Sequence, residues 1–368
     1  MKSQLTPEDE KLLRETVRTM LDELLPMAQV RELMASDTGF SSEIWRRMAN
    51  ELGIAGIAVS ENLGGSGMSQ REAGLIFEET GRRLGPSPLF AVAGLAVPLL
   101  LESGDAKACE RWLPQLCSGN LIATVAYGDL RGGPEAEVTV RVDGDTLHGR
   151  VEYVVDAAIS DLIFTLATTP SGPAIFGVDL TQPTVQIEHL VTLDQTRKLA
   201  HVTFNGATGV RLDVADARAS FGYAQAVTWA LLASELVGIA SHSLDITAEY
   251  ARTRMQFGRP IGSFQAVKQK LADMLMAVES ARSAANAAVA AAAVHDPDLW
   301  WIASLAKAYC SQTASRVTED SIQLHGGIGF TWEHDAHLYF KRARSSEELF
   351  GTARLHYSRV GQHLDAVH

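Results

Sequence analysis

The hydrophobic period of this chain changes twice, at Leu121 and again after Val214. Short β-branched runs fill the interval, at 122–126, 137–142, 146–155, 162–167, 174–178 and 201–204, separated by turn residues such as Asp143-Gly144. On both sides of the interval apolar residues recur at helical spacing. This order predicts an α+β chain with an N-terminal helical domain over 1–118, a central β-barrel or sandwich domain over 119–217 and a C-terminal four-helix bundle over 218–368. A length of 368 residues suits two or three such domains.

The helical segments carry their own punctuation. Thr6-Pro7-Glu8-Asp9 offers a hydroxyl cap, a proline at the first helical position and acids in the first turn. Ser41 or Ser42 opens a second helix that ends near Gly53, and further helices are expected at 70–84, 90–101 and 106–116. After the β region, helices are expected at 220–251, 264–280 with Ser263 as the cap, 281–294, 297–324 and 334–360. The alanine-rich 281–294 stretch is a helix that allows close approach of its neighbours.

Bulk properties remove several function classes. A formal charge of −12 argues against nucleic acid and against an anionic membrane surface as partners. Cys109, Cys117 and Cys310 neither pair evenly nor show metal-ligand spacing, which points to free buried thiols. With neither a signal-like N-terminus nor an uninterrupted apolar run of ~18 residues, the expected location is the cytoplasm.

Two stretches carry candidate chemistry. In 251–265, a long helix is broken by Gly258 and Pro260 before the next begins, leaving Arg254 at a helix end beside free N–H groups. That arrangement holds a phosphate bidentately, although an arginine there can also simply answer the helix dipole. In 323–335, Gly326, Gly327 and Gly329 directly follow a helical run where one glycine would serve as a cap. Three imply close backbone approach to some other group. The loop 64–67, by contrast, lacks the strand and the Gly-Lys-Ser/Thr of a phosphate loop and reads as a turn. His325 has no second metal ligand at sensible spacing and reads as a loop histidine against a cofactor. Glu333, His334 and Asp335 cannot converge on one metal, and Asp335 is a candidate cap. Trp300 and Trp301 read as core or interface aromatics.

The wording Arg-x-x-Phe-Gly-x-x-Ile-x-x-Phe-Gln from Arg254, followed by Gln-x-x-Gly-Gly-x-Gly from Gln323, resembles the acyl-CoA dehydrogenase family. Residues 52–67 resemble that family's N-terminal signature, so the likeness spans nearly the whole chain. It implies the helical–β–helical fold, FAD as cofactor and an acyl-CoA substrate. It also implies that Arg254, Gln256, Phe257, Phe264, Gln265, Gln323, Leu324, His325, Gly326 and Gly327 bind the adenosine-pyrophosphate half of an FAD in a neighbouring subunit.

The family's reaction takes a Cα proton with a carboxylate while hydride passes from Cβ to the flavin. Measured against that requirement the chain has losses. The loop that embraces the flavin ring corresponds to 125–134, and the matching strand reads Tyr153-Val-Val-Asp156, without the expected hydroxyls. Phe350 stands where many relatives carry the catalytic Glu, and no acid lies around Thr228-Trp229-Ala230, the other place for it. Glu235, Glu347 and Glu348 are the weak remaining candidates. Glu235 also reads as a carboxylate hydrogen-bonded between helices, and the other two as solvated helix-end acids.

The resemblance is to heteromeric dehydrogenases acting on CoA esters of steroid side chains in actinobacteria. It implies a non-catalytic subunit that completes the FAD site of a homologous partner, in an α2β2 heterotetramer. The alternatives are a self-sufficient homo-oligomer with a relocated Glu and a flavin-free structural subunit.

Overall fold

The computed structural model describes residues 5–128 and 137–367. Its first half opens with α1 (Pro7–Leu24), α2 (Met27–Ala35) and α3 (Ser42–Glu51), followed by α4 (Gln70–Arg83). Thr6 and Asp9 form a reciprocal capping box on α1, Ser41 caps α3, and Ser69 with Glu72 repeats the box on α4. A π-helical turn over Phe90–Ala96 leads into α5 (Val97–Ser103), and α6 (Ala106–Cys117) closes the segment. The wider π turn displaces the Gly94 carbonyl, which accepts from Thr228 Oγ1 at 2.7 Å.

The middle of the chain is a mixed eight-stranded sheet in the order β6-β7-β3-β2-β4-β5-β8, with β1 parallel to β4. Its strands are β1 (Ala123–Ala126), β2 (Val140–Asp143), β3 (Thr146–Val155), β4 (Leu162–Thr169), β5 (Gly172–Asp179), β6 (Val185–His189), β7 (Leu199–Ala207) and β8 (Val210–Arg211). Asp143 pairs with Thr146 across the expected hairpin turn. β6 and β8 are additions to the sequence reading: β6 alternates through Gln186 and Glu188 without a β-branched run, and β8 is two exposed residues.

Helices return with α7 (Ala217–Thr253), 37 residues capped by Asp216. Length and composition would let α7 cross a membrane, but 94% of its apolar window is buried inside the fold, so it is the core helix. A short hairpin of β9 (Met255–Gln256) and β10 (Arg259–Pro260) leads to α8 (Gln265–Ala293). Here the expectation of a Ser263 cap fails. Residues 261–263 form a 3-10 turn, Phe264 takes the cap position, and α8 starts without a side-chain cap. α8 runs unbroken through the alanine-rich stretch. α9 (Leu299–His325) follows, and the helix expected at 334–360 is two, α10 (Ala336–Glu348) and α11 (Ala353–Val367). Phe350 and Gly351, at φ 60° and 110°, turn the chain between them.

One hydrophobic core runs continuously through both helical segments, and a second, around Val140, Ile163, Val202 and Phe204, belongs to the sheet. α4 and α7 cross at glycines. A Cβ on Gly81 would lie 2.1 Å from the Glu235 carbonyl oxygen, and one on Gly238 would lie 1.9 Å from that of Glu78.

Candidate functional site

The two motifs singled out in the sequence meet at one end of the helical bundle. Thr247 Oγ1 in α7 and Ser321 Oγ in α9 are hydrogen-bonded at 2.7 Å, and the Tyr250 ring lies 4.5 Å from that of His325. Beyond this junction α7 ends, leaving Arg254 as its exposed C-terminal cap residue. The hairpin that follows turns through Phe257 and Gly258, both at positive φ, the signature of a tight two-residue turn. Phe257 stands 92% exposed at its tip. Phe264 lies edge-on to it at 6.2 Å, with the Arg259 guanidinium stacked 4.1 Å over the Phe264 ring.

Residues 251–270 carry Arg252, Arg254, Arg259, Lys268 and Lys270 and no acid, in a chain of net charge −12. Glu249 answers Arg252 and Asp320 answers Lys270. The Arg254 side chain has no hydrogen bond or ion pair among the described residues. Gln256 in the hairpin, Gln265 at the start of α8 and Gln323 near the end of α9 are exposed. Gly326 and Gly327 are open as well, with no atom within 4 Å of where a Cβ would stand. An unpaired guanidinium, three amides, bare glycine backbone and the uncapped start of α8 form a donor set suited to a pyrophosphate and its flanking adenosine.

Two of the predicted residues are less exposed than the others. Leu324 is half-buried, and His325 is only 3% exposed. The His325 Nδ1–H donates to the Ser321 carbonyl at 2.7 Å, and the ring is packed between Tyr250 and His334. Burial lowers its pKa, with the bond to the Ser321 carbonyl opposing the shift. It supports the glycine turn from behind. Asp335 occupies the cap position of α10 without a side-chain capping bond; its carboxylate pairs with Arg31 at 2.6 Å, and His334 Nδ1 accepts the Ala336 N–H.

The interior around Phe350 has the opposite character. Its ring lies 6.3 Å from Phe90 and 5.6 Å from Tyr127, which in turn lies 4.7 Å from Phe221. All four are under a tenth exposed. The crevice beside Tyr127, Phe221 and Gln225 has a volume of about 30 Å³, room for about two waters. Trp229 is fully buried against Trp300 and His356, at 4.4 and 4.6 Å. Of the loop expected to embrace a flavin ring, 129–134 lies outside the described residues. In the matching strand Val155 is buried, Tyr153 is half-buried edge-on to His201, and Asp156 adopts φ 53°. Burial pushes the Asp156 carboxyl up to about 7 against the pull of Arg197 and Arg342.

Of the acid candidates, two are engaged and one is exposed. Glu235 is 3% exposed, and each of its oxygens is taken: Oε2 by Arg197 at 2.5 Å and Oε1 by Arg342 at 3.2 Å. Arg342 also donates to Asp194 and Thr196 at 2.7 and 2.6 Å, and Arg197 to Ser346 at 3.2 Å. This buried cluster ties the β6–β7 loop to α7 and α10. Glu347 accepts from Ser315 at 2.7 Å and Arg344 at 2.6 Å, and Glu348 is exposed. Arg197, Arg342 and the fully buried Lys307 escaped the sequence reading, since nothing local distinguishes a buried cation from a solvated one.

Residues 7–120 match the family model for the acyl-CoA dehydrogenase N-terminal domain, and 226–364 that for the C-terminal domain. Acyl-CoA dehydrogenase IpdE2 of Mycobacterium tuberculosis (strain ATCC 25618 / H37Rv) is 36% identical over 350 residues, covering 95% of this chain and 95% of its own. The ChsE4-ChsE5 complex from Mycobacterium tuberculosis contains a chain of similar structure, with a TM-score of 0.88 at 30% identity over 98% of each chain. A variant of the Tcur3481-Tcur3483 steroid ACAD gives 0.89 at 29% identity, also over 98% of each.

Proposed function

The chain belongs to the acyl-CoA dehydrogenase family, and we propose that within it this chain completes the FAD site of a homologous catalytic partner and supplies no base of its own. The observation that carries this reading is the contrast between its two ends. Arg254 is exposed with no side-chain partner among the described residues and Gly326 and Gly327 are open, while Phe350 is sealed among aromatic rings. When bound, FAD supplies the hydride acceptor for α,β-desaturation of an acyl-CoA thioester. This chain's part is to bind and orient. Arg254 and the start of α8 hold pyrophosphate charge, Gln256, Gln265 and Gln323 offer amides to the adenosine half, and Phe257 and Phe264 add apolar surface. The ring half would belong to the partner.

The ChsE4-ChsE5 complex and the Tcur3481-Tcur3483 steroid ACAD support a heteromer, which we take as α2β2 and cytoplasmic, acting on a steroid-derived acyl-CoA. In the same reading 1–118, 119–217 and 218–368 are its three domains.

Arg254→Ala removes a charge-assisted pair, so FAD affinity of the assembled enzyme is expected to fall by about 1.5–3 kcal/mol. Titrating apo-enzyme by flavin fluorescence measures this, and unchanged affinity overturns the assignment. For the absent base, Glu347→Gln and Glu348→Gln are expected to leave turnover of the assembled enzyme within about twofold, whereas losing a true base costs ~10²-fold or more. A loss of that size in either variant, with FAD content intact, installs a self-sufficient enzyme instead.

A further inference from the structure

Lys307 lies in α9 with none of its surface exposed, among Ala303, Ser304 and Ala306. An ammonium buried there is costly unless each donor is met. Its Nζ lies 3.1 Å from Ser311 Oγ, 3.1 Å from the Glu347 carbonyl and 3.2 Å from the Gly351 carbonyl. Those two carbonyls lie on either side of Phe350. The Phe350 carbonyl is itself held, accepting from His356 Nε2 at 3.2 Å. The turn between α10 and α11 is thus bound from α9 on one side and α11 on the other.

That grip has something to hold. Phe350 is a bulky residue at φ 60°, a conformation that persists only where the surroundings enforce it. Its position places the ring between Phe90 and Tyr127, filling apolar space bounded by the π turn, β1 and α7. Removing the ring would leave an apolar void, which stays dry and accepts an apolar ligand.

We propose that Lys307 is a positioning residue: through the Glu347 and Gly351 carbonyls it holds the turn that drives Phe350 into the aromatic stack, and so keeps this chain's interior closed to an acyl chain. The proposal rests on the reading that substrate reacts in the partner, and explains how this chain avoids competing for it. Restoring an acid at position 350 alone would therefore place it in a sealed interior.

Both protonation states of the amine satisfy the site. Burial pulls Lys307 down to about 7, with Glu347, Glu348 and Cys310 opposing the shift and Arg359 adding to it. The adjoining His356 is pushed down to about 2 and stays neutral. A charged Lys307 donates to all three partners. A neutral one donates to the two carbonyls and accepts the Ser311 hydroxyl. Because burial holds the amine below its ordinary pKa, an opening that exposes Lys307 takes up a proton, so the turn is held more firmly at pH 8.5 than at pH 6.

The test is hydrogen exchange on the full-length chain, with octanoyl-CoA as the binding probe in calorimetry. Lys307→Met keeps the stem and removes every donor. It is expected to raise exchange at 349–353 at least about tenfold, the equivalent of a lost charge-assisted hydrogen bond, while α4 and the sheet keep their protection. The variant should also gain saturable octanoyl-CoA binding that the wild type lacks, as should Phe350→Ala, which opens the same space without touching Lys307. Ser311→Ala, a milder change, should raise exchange at 349–353 to a lesser degree and serves if Lys307→Met does not fold. Unchanged exchange at 349–353, a rise spread evenly over the chain, or wild-type binding of octanoyl-CoA equal to that of the variants overturns the proposal. None of these readouts uses turnover or FAD, so a failure here is separate from a failure of the non-catalytic reading.

Discussion

Glu235→Ala is expected to destabilise the chain by about 3–5 kcal/mol, the cost of breaking a buried ion pair from one side. The carboxylate answers two guanidiniums, Arg197 and Arg342, each only 4% exposed at its side chain, so its removal leaves two cations facing one remaining paired acid, Asp194. Arg197 and Arg342 cannot swing to water without unpacking the β6–β7 loop from α10. Urea denaturation measures the loss as a lower midpoint at unchanged slope. Gln in place of Glu235 should fall between wild type and Ala, since it keeps the shape and hydrogen-bonding capacity but not the charge. A loss under about 1 kcal/mol for Ala would mean that the two arginines find other partners, as exposed ion pairs do. The same geometry bears on chemistry. Both Glu235 oxygens already face guanidinium donors, so the deficit expected of Glu235→Ala is one of folding.

What the sequence made legible divides along the range of the interactions. The β region was visible because β1 through β5 and β7 are β-branched and half or wholly buried. β6 was not, because its residues are mostly exposed and polar and its place is set by pairing with β7. The 334–360 stretch reads as one helix because a single Gly351 inside an apolar-periodic run is weak punctuation; the break comes from Phe350, whose left-handed backbone is enforced from α9 and α11. Ser263 looked like a cap because a hydroxyl precedes an apolar run, yet the Ile261-Gly262-Ser263 turn moves the helix start onward. At the candidate site, Arg254 and the three glycines were legible as local motifs. The clamp on Glu235 was not, because its arginines lie 38 and 107 positions away. Lys307 was equally silent. A lysine among alanines and serines reads as a solvated position until three-dimensional packing closes over it.

Gly238→Ala should be the other severe substitution, although alanine is ordinarily the better helix former by about 0.5–1 kcal/mol. At this position the new methyl would stand 1.9 Å from the Glu78 carbonyl oxygen and 2.8 Å from its carbon, both backbone atoms of α4. No rotamer relieves a clash between a Cβ and a main chain, so the two helices must part. The contact is reciprocal, since a Cβ on Gly81 would meet the Glu235 carbonyl at 2.1 Å. Parting α4 from α7 therefore draws the Glu235 backbone away from Arg197 and Arg342, adding part of the ion-cluster loss to the steric cost. A net loss of about 3 kcal/mol is expected, the upper end for overpacking. Gly361→Ala is the control: it lies in α11 with nothing within 4 Å of its Cβ position, and should gain about 0.5–1 kcal/mol from helix propensity alone. Because the Gly238 and Glu235 effects share the same displacement, Gly238→Ala combined with Glu235→Ala should cost less than the sum of the two singles. Strict additivity in urea denaturation would show that the helices part without disturbing the cluster, and that the α4–α7 crossing and the ion clamp are independent supports of the fold.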